Sequence, residues 1–102
     1  DLHLARRDGR GVIIHIDHYG NATTNVPAEM LGAGTMVRVG RRVIGKVRRT
    51  YGDVEVGLPV ALVGSSDLLE IAIRNGSAAE QLGLGVGDAV TLYGDSRSNR
   101  PA

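Results

Sequence analysis

The sequence has no cysteine, phenylalanine or tryptophan among its 102 residues, and only three tyrosines. Without cysteine it can form neither a disulfide nor a thiolate metal site. Without Phe and Trp, its core must consist of aliphatic side chains. No apolar run approaches the roughly 18 residues of a membrane span, and no secretory signal peptide is visible. We therefore expect a cytoplasmic protein with no membrane partner.

Apolar residues make up 42% of the chain, which is enough for one small domain. Glycine is abundant, with 15 residues, and this indicates many tight turns. The chain begins at Asp1 rather than Met, so we expect it to be processed, trimmed or a piece of something longer. Residues 1–10 are interpreted as a linker remnant or a disordered N-terminus, and residues 94–102 as a disordered tail.

The formal net charge of +1 argues against bulk attraction to nucleic acid. Half of the twelve lysines and arginines nevertheless lie between Arg38 and Arg49, a stretch without an acid. Phosphate binding would explain such a stretch, but no aromatic residue for base stacking lies within it. We favour a solvated hairpin face and predict no nucleic-acid partner. A contact with an acidic neighbouring subunit is a second alternative.

Short segments rich in Val, Ile and Thr, separated by turn residues, predict seven or so β-strands. The predicted strands cover residues 11–17, 23–26, 36–39, 43–47, 59–63, 68–73 and 89–93. Residues 50–53 are predicted as a loop. Ser77 and Glu80 have the spacing of a capping box, which predicts a short helix that ends at Gly83. The pattern favours an all-β barrel or sandwich with one short helix near 77–83.

A metal site and a catalytic nucleophile are two candidate sites, and each lacks residues that its chemistry requires. His15, Asp17 and His18 could bind a metal, but strand alternation directs only His15 and Asp17 to one side, opposite Val12, Ile14 and Ile16. Two ligands are too few, and we predict no metal. The hydroxyl groups at 65 and 66 lack the base and sequence context of an activated nucleophile. We therefore predict no catalytic residue in this chain.

The segment 17–25, Asp-His-Tyr-Gly-Asn-Ala-Thr-Thr-Asn, is the strongest candidate for a binding site. It follows an apolar strand and combines an acid, an aromatic ring, a glycine and two amides. Glycine lets the backbone bend or approach a ligand, and an asparagine offers both a donor and an acceptor. Glu70 is a second polar residue in an apolar segment, which we expect to face solvent or pair with an arginine. Asp17 is interpreted as part of a site.

Four blocks, in this order and spacing, resemble the C-terminal domain of the S-adenosyl-L-methionine (SAM) hydrolases. This family, also called SAM hydroxide adenosyltransferases, is related to fluorinating and chlorinating enzymes. The blocks are Ile-Asp-His-Tyr-Gly-Asn at 16–21 with Thr-Asn at 24–25, Thr-Tyr-Gly-Asp at 50–53, Gly-Ser-Ser-Asp-Leu-Leu-Glu-Ile-Ala at 64–72, and Asn-Gly-Ser-Ala-Ala at 75–79 with Gly-Asp at 87–88. The resemblance covers about residues 11–93, and it implies a small Greek-key-like β-barrel.

The resemblance also implies that SAM is the substrate, with no separate cofactor, and that adenosine and methionine are the products. The water-activating residues of the family lie in an N-terminal α/β domain that these residues do not contain. The isolated chain is therefore predicted to be inactive. The family's site forms between domains of neighbouring subunits, and the resemblance implies a homotrimer for the full-length protein.

The resemblance implies substrate-binding roles for eight positions of this sequence. Asp17 would bind the methionine ammonium group, and Ser65 with Ser66 would bind its carboxylate. Asn21 would bind the adenine edge, and the backbone near Ile73 and Asn75 would complete that contact. The rings that would pack around the adenine are those of Tyr19 and Tyr51.

Several positions depart from the family pattern. Tyr19 replaces the usual Phe, and Arg74 stands where the family pattern predicts Asn, which leaves the role of that side chain open. The halogenating relatives carry an extra Pro before the aromatic residue and an Arg in the serine block. Here His18 is followed directly by Tyr19, and Ser65 by Ser66. These features favour the hydrolase over a SAM-dependent halogenase.

A binding-module alternative is a PDZ-like domain. Residues 76–84 followed by 87–90 are similar to the end of that fold, since both form a capped helix, a glycine turn and a strand. A PDZ domain would bind a peptide terminus between a strand and a helix. No convincing glycine-rich carboxylate loop precedes a strand, and the alternative leaves residues 17–25 unexplained.

Overall fold

The computed structural model describes residues 9–32 and 34–94. The predicted N-terminal linker and C-terminal tail lie mostly outside this range. The described residues form seven strands, and their bounds are β1 Arg10–Ile16, β2 Ala22–Pro27, β3 Met36–Val39, β4 Arg42–Arg48, β5 Pro59–Val63, β6 Leu68–Ile73 and β7 Ala89–Tyr93. A short helix, α1, covers Ala78–Leu82, and 3-10 turns cover Ala28–Met30 and Tyr51–Asp53.

The strands form a closed barrel in the order β1-β2-β6-β5-β4-β3-β7. The pairs are antiparallel except for β4 with β5, which run parallel. The predicted all-β barrel with one short helix is confirmed. Closure pairs the first strand with the last, so that both have hydrogen-bonded neighbours on each side.

Aliphatic side chains fill the barrel, as the absence of Phe and Trp requires. Ile13, Leu69, Ile71 and Leu92 are among its largest fully buried residues. A second, smaller apolar cluster lies on the outer face of β5 and β6, where Val60, Leu62 and Ala72 are covered by Val54. These two strands are therefore buried on both faces, which brings the segment after β4 onto the outside of the barrel.

The predicted alternation in β1 is wrong because the strand contains a β-bulge. Its register with β2 shifts between Ile13 and His15. Ile13 is fully buried and Ile16 packs against the core, whereas Val12 and Ile14 are 37% and 46% exposed. A bulge adds one residue to a strand and changes which side chains face inward. The shift lies directly before the segment 17–25.

Helix α1 begins and ends as predicted, but only the serine half of the capping box forms in it. The Ser77 hydroxyl accepts from Glu80 N at 3.2 Å, and Gly83 ends the helix with a φ of 69°. A complete capping box occurs instead in the predicted loop 50–53, between Thr50 and Asp53. No helix in the described ranges is long and apolar enough to cross a membrane.

Candidate functional site

A cavity of about 410 Å³ opens where three separate segments meet, within the roughly 300–1,000 Å³ that small-molecule sites occupy. The segments are the turn after β1, the 3-10 turn after β4 and the turn after β6. The lining residues are Tyr19, Asn21, Tyr51, Ile73, Arg74, Asn75 and Gly76. Five of the eight predicted site residues are thus brought together, although more than fifty positions separate the first and last in sequence.

Asp17 holds the first segment in shape without lining the cavity. Its Oδ1 accepts hydrogen bonds from Tyr19 N at 2.8 Å and Asn21 N at 3.0 Å, and its Oδ2 accepts from Asn21 Nδ2 at 3.2 Å. Asp17 N in turn donates to Asn21 O at 3.0 Å. The carboxylate therefore fixes both the backbone of the turn and the orientation of the Asn21 amide.

The same contacts lower the pKa of Asp17. Desolvation by burial acts to raise this pKa, but hydrogen bonds from Asn21 and Tyr19, together with the nearby His15, outweigh it. Hydrogen bonds donated to a carboxylate favour its charged form. Asp17 is therefore negatively charged at neutral pH, as a site for a cationic group requires.

Gly20 fixes the turn against helix α1. Its φ of 87° is in the left-handed region that favours glycine, and a Cβ there would overlap the Ser77 side chain. The Gly20 carbonyl accepts a hydrogen bond from Ala79 N at 2.9 Å. Tyr19 and Asn21 are therefore held on either side of a close backbone contact.

The second half of the segment 17–25 supports the barrel rather than the cavity. Thr24 is fully buried; its hydroxyl donates to Leu69 O at 2.9 Å and accepts from Val26 N at 3.0 Å. Asn25 Oδ1 accepts from Val12 N at 2.9 Å. These two residues therefore have structural roles, which their place in the motif did not reveal.

Ser65 and Ser66 do not line the cavity. They are exposed in the turn between β5 and β6, at the opposite end of β6 from Ile73. At about 3.3 Å per residue, the five steps along β6 correspond to roughly 17 Å. The predicted adenine and carboxylate contacts thus lie at the two ends of one strand.

Glu70 lies between these two ends and is half-buried. Its partner is Thr23, whose Oγ1 donates to Glu70 Oε2 over a long 3.4 Å, rather than the expected arginine. An ideal Cβ on Gly64 would be 3.0 Å from Glu70 Oε2, so the carboxylate lies against the serine turn.

Burial raises the pKa of Tyr51, and the charges of Glu70 and Asp17 raise it further. The Tyr51 phenol is therefore neutral at physiological pH.

Arg74 and Gly76 also line the cavity, although sequence reasoning assigned them no contact. The available signal was the position of Arg74, a single cation that directly follows the apolar strand β6. Its Nη1 donates to Val54 O at 2.7 Å. The side chain is thus tied to the segment that carries Tyr51.

The basic hairpin contributes nothing to this cavity. Its residues Arg41, Arg42, Lys46, Arg48 and Arg49 are exposed. Arg38 is half-buried, and its guanidinium carbon lies 5.6 Å from the centroid of the Tyr93 ring in β7. Tertiary structure therefore supplies an aromatic neighbour that the hairpin sequence lacks.

Residues 11–91 match the family model of the SAM hydroxide adenosyltransferase C-terminal domain. The chain belongs to this family. The match includes the segment 76–90 that resembles the end of a PDZ domain, and β7 of that segment closes the barrel, so the PDZ alternative is wrong.

The chain is similar to the (R)-S-adenosyl-L-methionine hydrolase of Thermus thermophilus, with 45% identity over 92 residues. The alignment covers 89% of this chain and 35% of that relative. A crystal structure of a conserved hypothetical protein from Thermus thermophilus superposes with a TM-score of 0.70 and 44% identity, over 81% of this chain and 34% of the other. An uncharacterized conserved protein from Thermotoga maritima gives a TM-score of 0.70 at 30% identity, over 81% and 35%. The chain thus spans about a third of the length of these proteins.

Proposed function

We propose that this chain is the substrate-binding C-terminal domain of an S-adenosyl-L-methionine hydrolase, which converts SAM and water to adenosine and methionine. The chain would supply contacts to adenine and methionine, and a separate N-terminal α/β domain would activate the water. The cavity of about 410 Å³ carries this proposal, because five residues that the resemblance implies for substrate binding surround it. The hydrolase name of a 45% identical relative supports the choice of substrate.

The cavity has the groups that an adenine needs. The Asn21 side-chain amide donates one hydrogen to Asp17, which leaves the side-chain oxygen Oδ1 and the second amide hydrogen for a ligand. That donor and acceptor match the adenine edge, which presents one of each. The Tyr19 and Tyr51 rings supply apolar surfaces, and stacking a base on an aromatic side chain is worth about 1–3 kcal/mol. The backbone at Ile73 and Asn75 would complete the contact.

The methionine part of the substrate would extend from the cavity toward the turn between β5 and β6. The Asp17 carboxylate has room for about four hydrogen bonds and accepts three within its own turn, so it can receive one more from the ammonium group. Ser65 and Ser66, exposed beyond Glu70, would bind the carboxylate. We further propose that the whole enzyme is a homotrimer, in which a neighbouring subunit covers the cavity.

A titration with adenosine, followed by NMR chemical shifts, tests the adenine part of the proposal in a fusion of this chain to the N-terminal part of the Thermus relative, because the proposed site forms between the two domains. We expect shifts at Tyr19, Asn21 and Tyr51, and no shifts with a C-terminal peptide. Asn21→Ala should weaken adenosine binding about 5- to 150-fold, because an unpaired site group costs about 1–3 kcal/mol. Asn25→Ala, which removes an amide outside the cavity, should leave the affinity unchanged. Equal affinities for both variants would remove Asn21 from the site.

A second experiment tests whether hydrolysis requires the N-terminal domain. The chain alone should release no adenosine from SAM, as measured by chromatography. A fusion to the N-terminal part of the Thermus relative should release it, and Asn21→Ala in that fusion should raise KM. Hydrolysis by the isolated chain would show that catalytic residues lie here after all. Halide-dependent formation of a halogenated nucleoside by the fusion would favour the halogenase alternative.

A further inference from the structure

Tyr51 lines the cavity, and the segment Tyr51–Leu58 that begins with it belongs to none of the seven strands. Its capping box between Thr50 and Asp53 is local and fixes only the shape of the 3-10 turn. Val54 packs on the apolar cluster outside β5 and β6. Asp53 Oδ2 accepts from Arg49 N at 3.0 Å, which ties the start of the segment to the end of β4. On the other side of Tyr51, a small number of contacts around Val54 and the residues after it hold the segment to the barrel.

Arg74 supplies three of these contacts. Its backbone accepts from Gly57 N at 2.9 Å and donates to Leu58 O at 3.2 Å. Its side chain reaches further back, where Nη1 donates to Val54 O at 2.7 Å. The backbone bonds hold the far end of the segment. The side-chain bond holds the residue that directly follows the Tyr51–Asp53 turn.

Arginine suits this task because a guanidinium is always charged and carries five donors in a rigid plane. The Nη1–Val54 bond is short, as expected for a hydrogen bond with an ionised donor. The same side chain lines the cavity together with Tyr51 and Asn75. A movement of the guanidinium would therefore reach the segment that carries Tyr51.

We propose that Arg74 is a positioning residue, which fixes the Tyr51 segment as a wall of the nucleoside pocket and so sets the affinity for adenosine. This inference rests on the proposed function. Arg74 acts through Tyr51 rather than by contact with the ligand.

A double-mutant cycle in the fusion to the N-terminal part of the Thermus relative tests the inference, with adenosine as ligand and NMR shifts as readout. Arg74→Ala removes the side-chain bond and keeps both backbone bonds, so affinity should fall about tenfold, the effect of one charge-assisted hydrogen bond. Arg74→Lys should recover part of the loss. In a Tyr51→Ala background, Arg74→Ala should have no further effect. Arg38→Ala is the matched control, because it removes an arginine side chain outside the pocket, and it should leave the affinity for adenosine unchanged.

Independent, multiplying effects of Arg74→Ala and Tyr51→Ala would show direct ligand contact and overturn the positioning role. Amide hydrogen exchange provides a readout without ligand: Arg74→Ala should speed exchange at Val54, Gly57 and Leu58, with no change at the core residue Ile71. Unchanged exchange would also overturn the inference. If the unmodified fusion binds no adenosine, the adenine proposal fails, and exchange alone decides whether Arg74 positions the segment.

Discussion

Substitution of Gly20 by alanine should destabilise the protein more than the backbone conformation alone accounts for. Gly20 and Gly57 have nearly equal φ angles, 87° and 89°, but different surroundings. A Cβ on Gly57 has no neighbour within 4 Å, whereas a Cβ on Gly20 would lie 2.7 Å from Ser77 Cβ and 3.1 Å from its Cα. The two glycines therefore separate the cost of a positive φ from the cost of a steric overlap.

The magnitudes follow from these two terms. A left-handed conformation costs an L-residue about 1–2 kcal/mol, which should be the whole effect of Gly57→Ala. Gly20→Ala adds an overlap with Ser77 backbone and Cβ atoms, which rotation about χ1 cannot relieve, at a further cost of about 1–3 kcal/mol. The total of about 2–5 kcal/mol should lower Tm by roughly 10 °C or more in a domain of this size.

Urea unfolding followed by far-ultraviolet circular dichroism measures these differences, since the chain has no tryptophan. Ser77→Gly provides the decisive test, because glycine replaces serine at an N-cap at a cost of only a few tenths of a kcal/mol. In the Gly20→Ala background, Ser77→Gly should restore about 1–2 kcal/mol. Equal destabilisation by Gly20→Ala and Gly57→Ala, without rescue by Ser77→Gly, would refute this explanation of the turn.

Two further substitutions test the contacts around the segment 17–25. Thr24→Val should cost about 1–3 kcal/mol in urea unfolding, because Leu69 O and Val26 N lose a buried partner. Thr23→Val should cost less, because the one bond that it removes, to Glu70 Oε2, is long and only part-buried. Asp17→Asn should remove a pH dependence that arises because the folded pKa of Asp17 is lowered. The free energy of unfolding of the unmodified chain should exceed that of Asp17→Asn by a constant amount above about pH 5, and this difference should decline below the ordinary Asp pKa of 3.8. A difference that grows as the pH falls would contradict the hydrogen-bond assignment.

The local features of the fold could be predicted from the sequence because they depend on neighbouring residues. Alternation of aliphatic and polar residues located the strands, and glycine at the end of α1 located its last turn. The clustering of an acid, a tyrosine and an amide after β1 located the first wall of the cavity. The absence of Phe and Trp correctly implied an aliphatic core.

Tertiary structure decided the features that depend on contacts between distant segments. Local periodicity did not reveal the bulge in β1, because the register shift exists only relative to β2. It therefore placed Ile16 on one face with Val12 and Ile14, although Ile16 packs against the core and the other two are exposed. It also did not show that Ser65 and Ser66 lie at the opposite end of β6 from the cavity.

The sequence by itself determined that this protein is an aliphatic β-structure whose Tyr-Gly-Asn turn is suited to hold a ligand. Only the folded chain joined that turn to Tyr51 and Asn75, and gave Arg74 its bond to Val54. The physical reason is that strand pairing and loop docking are set by long-range packing. A residue's local sequence specifies its conformation, but the neighbours across the barrel determine what its side chain contacts.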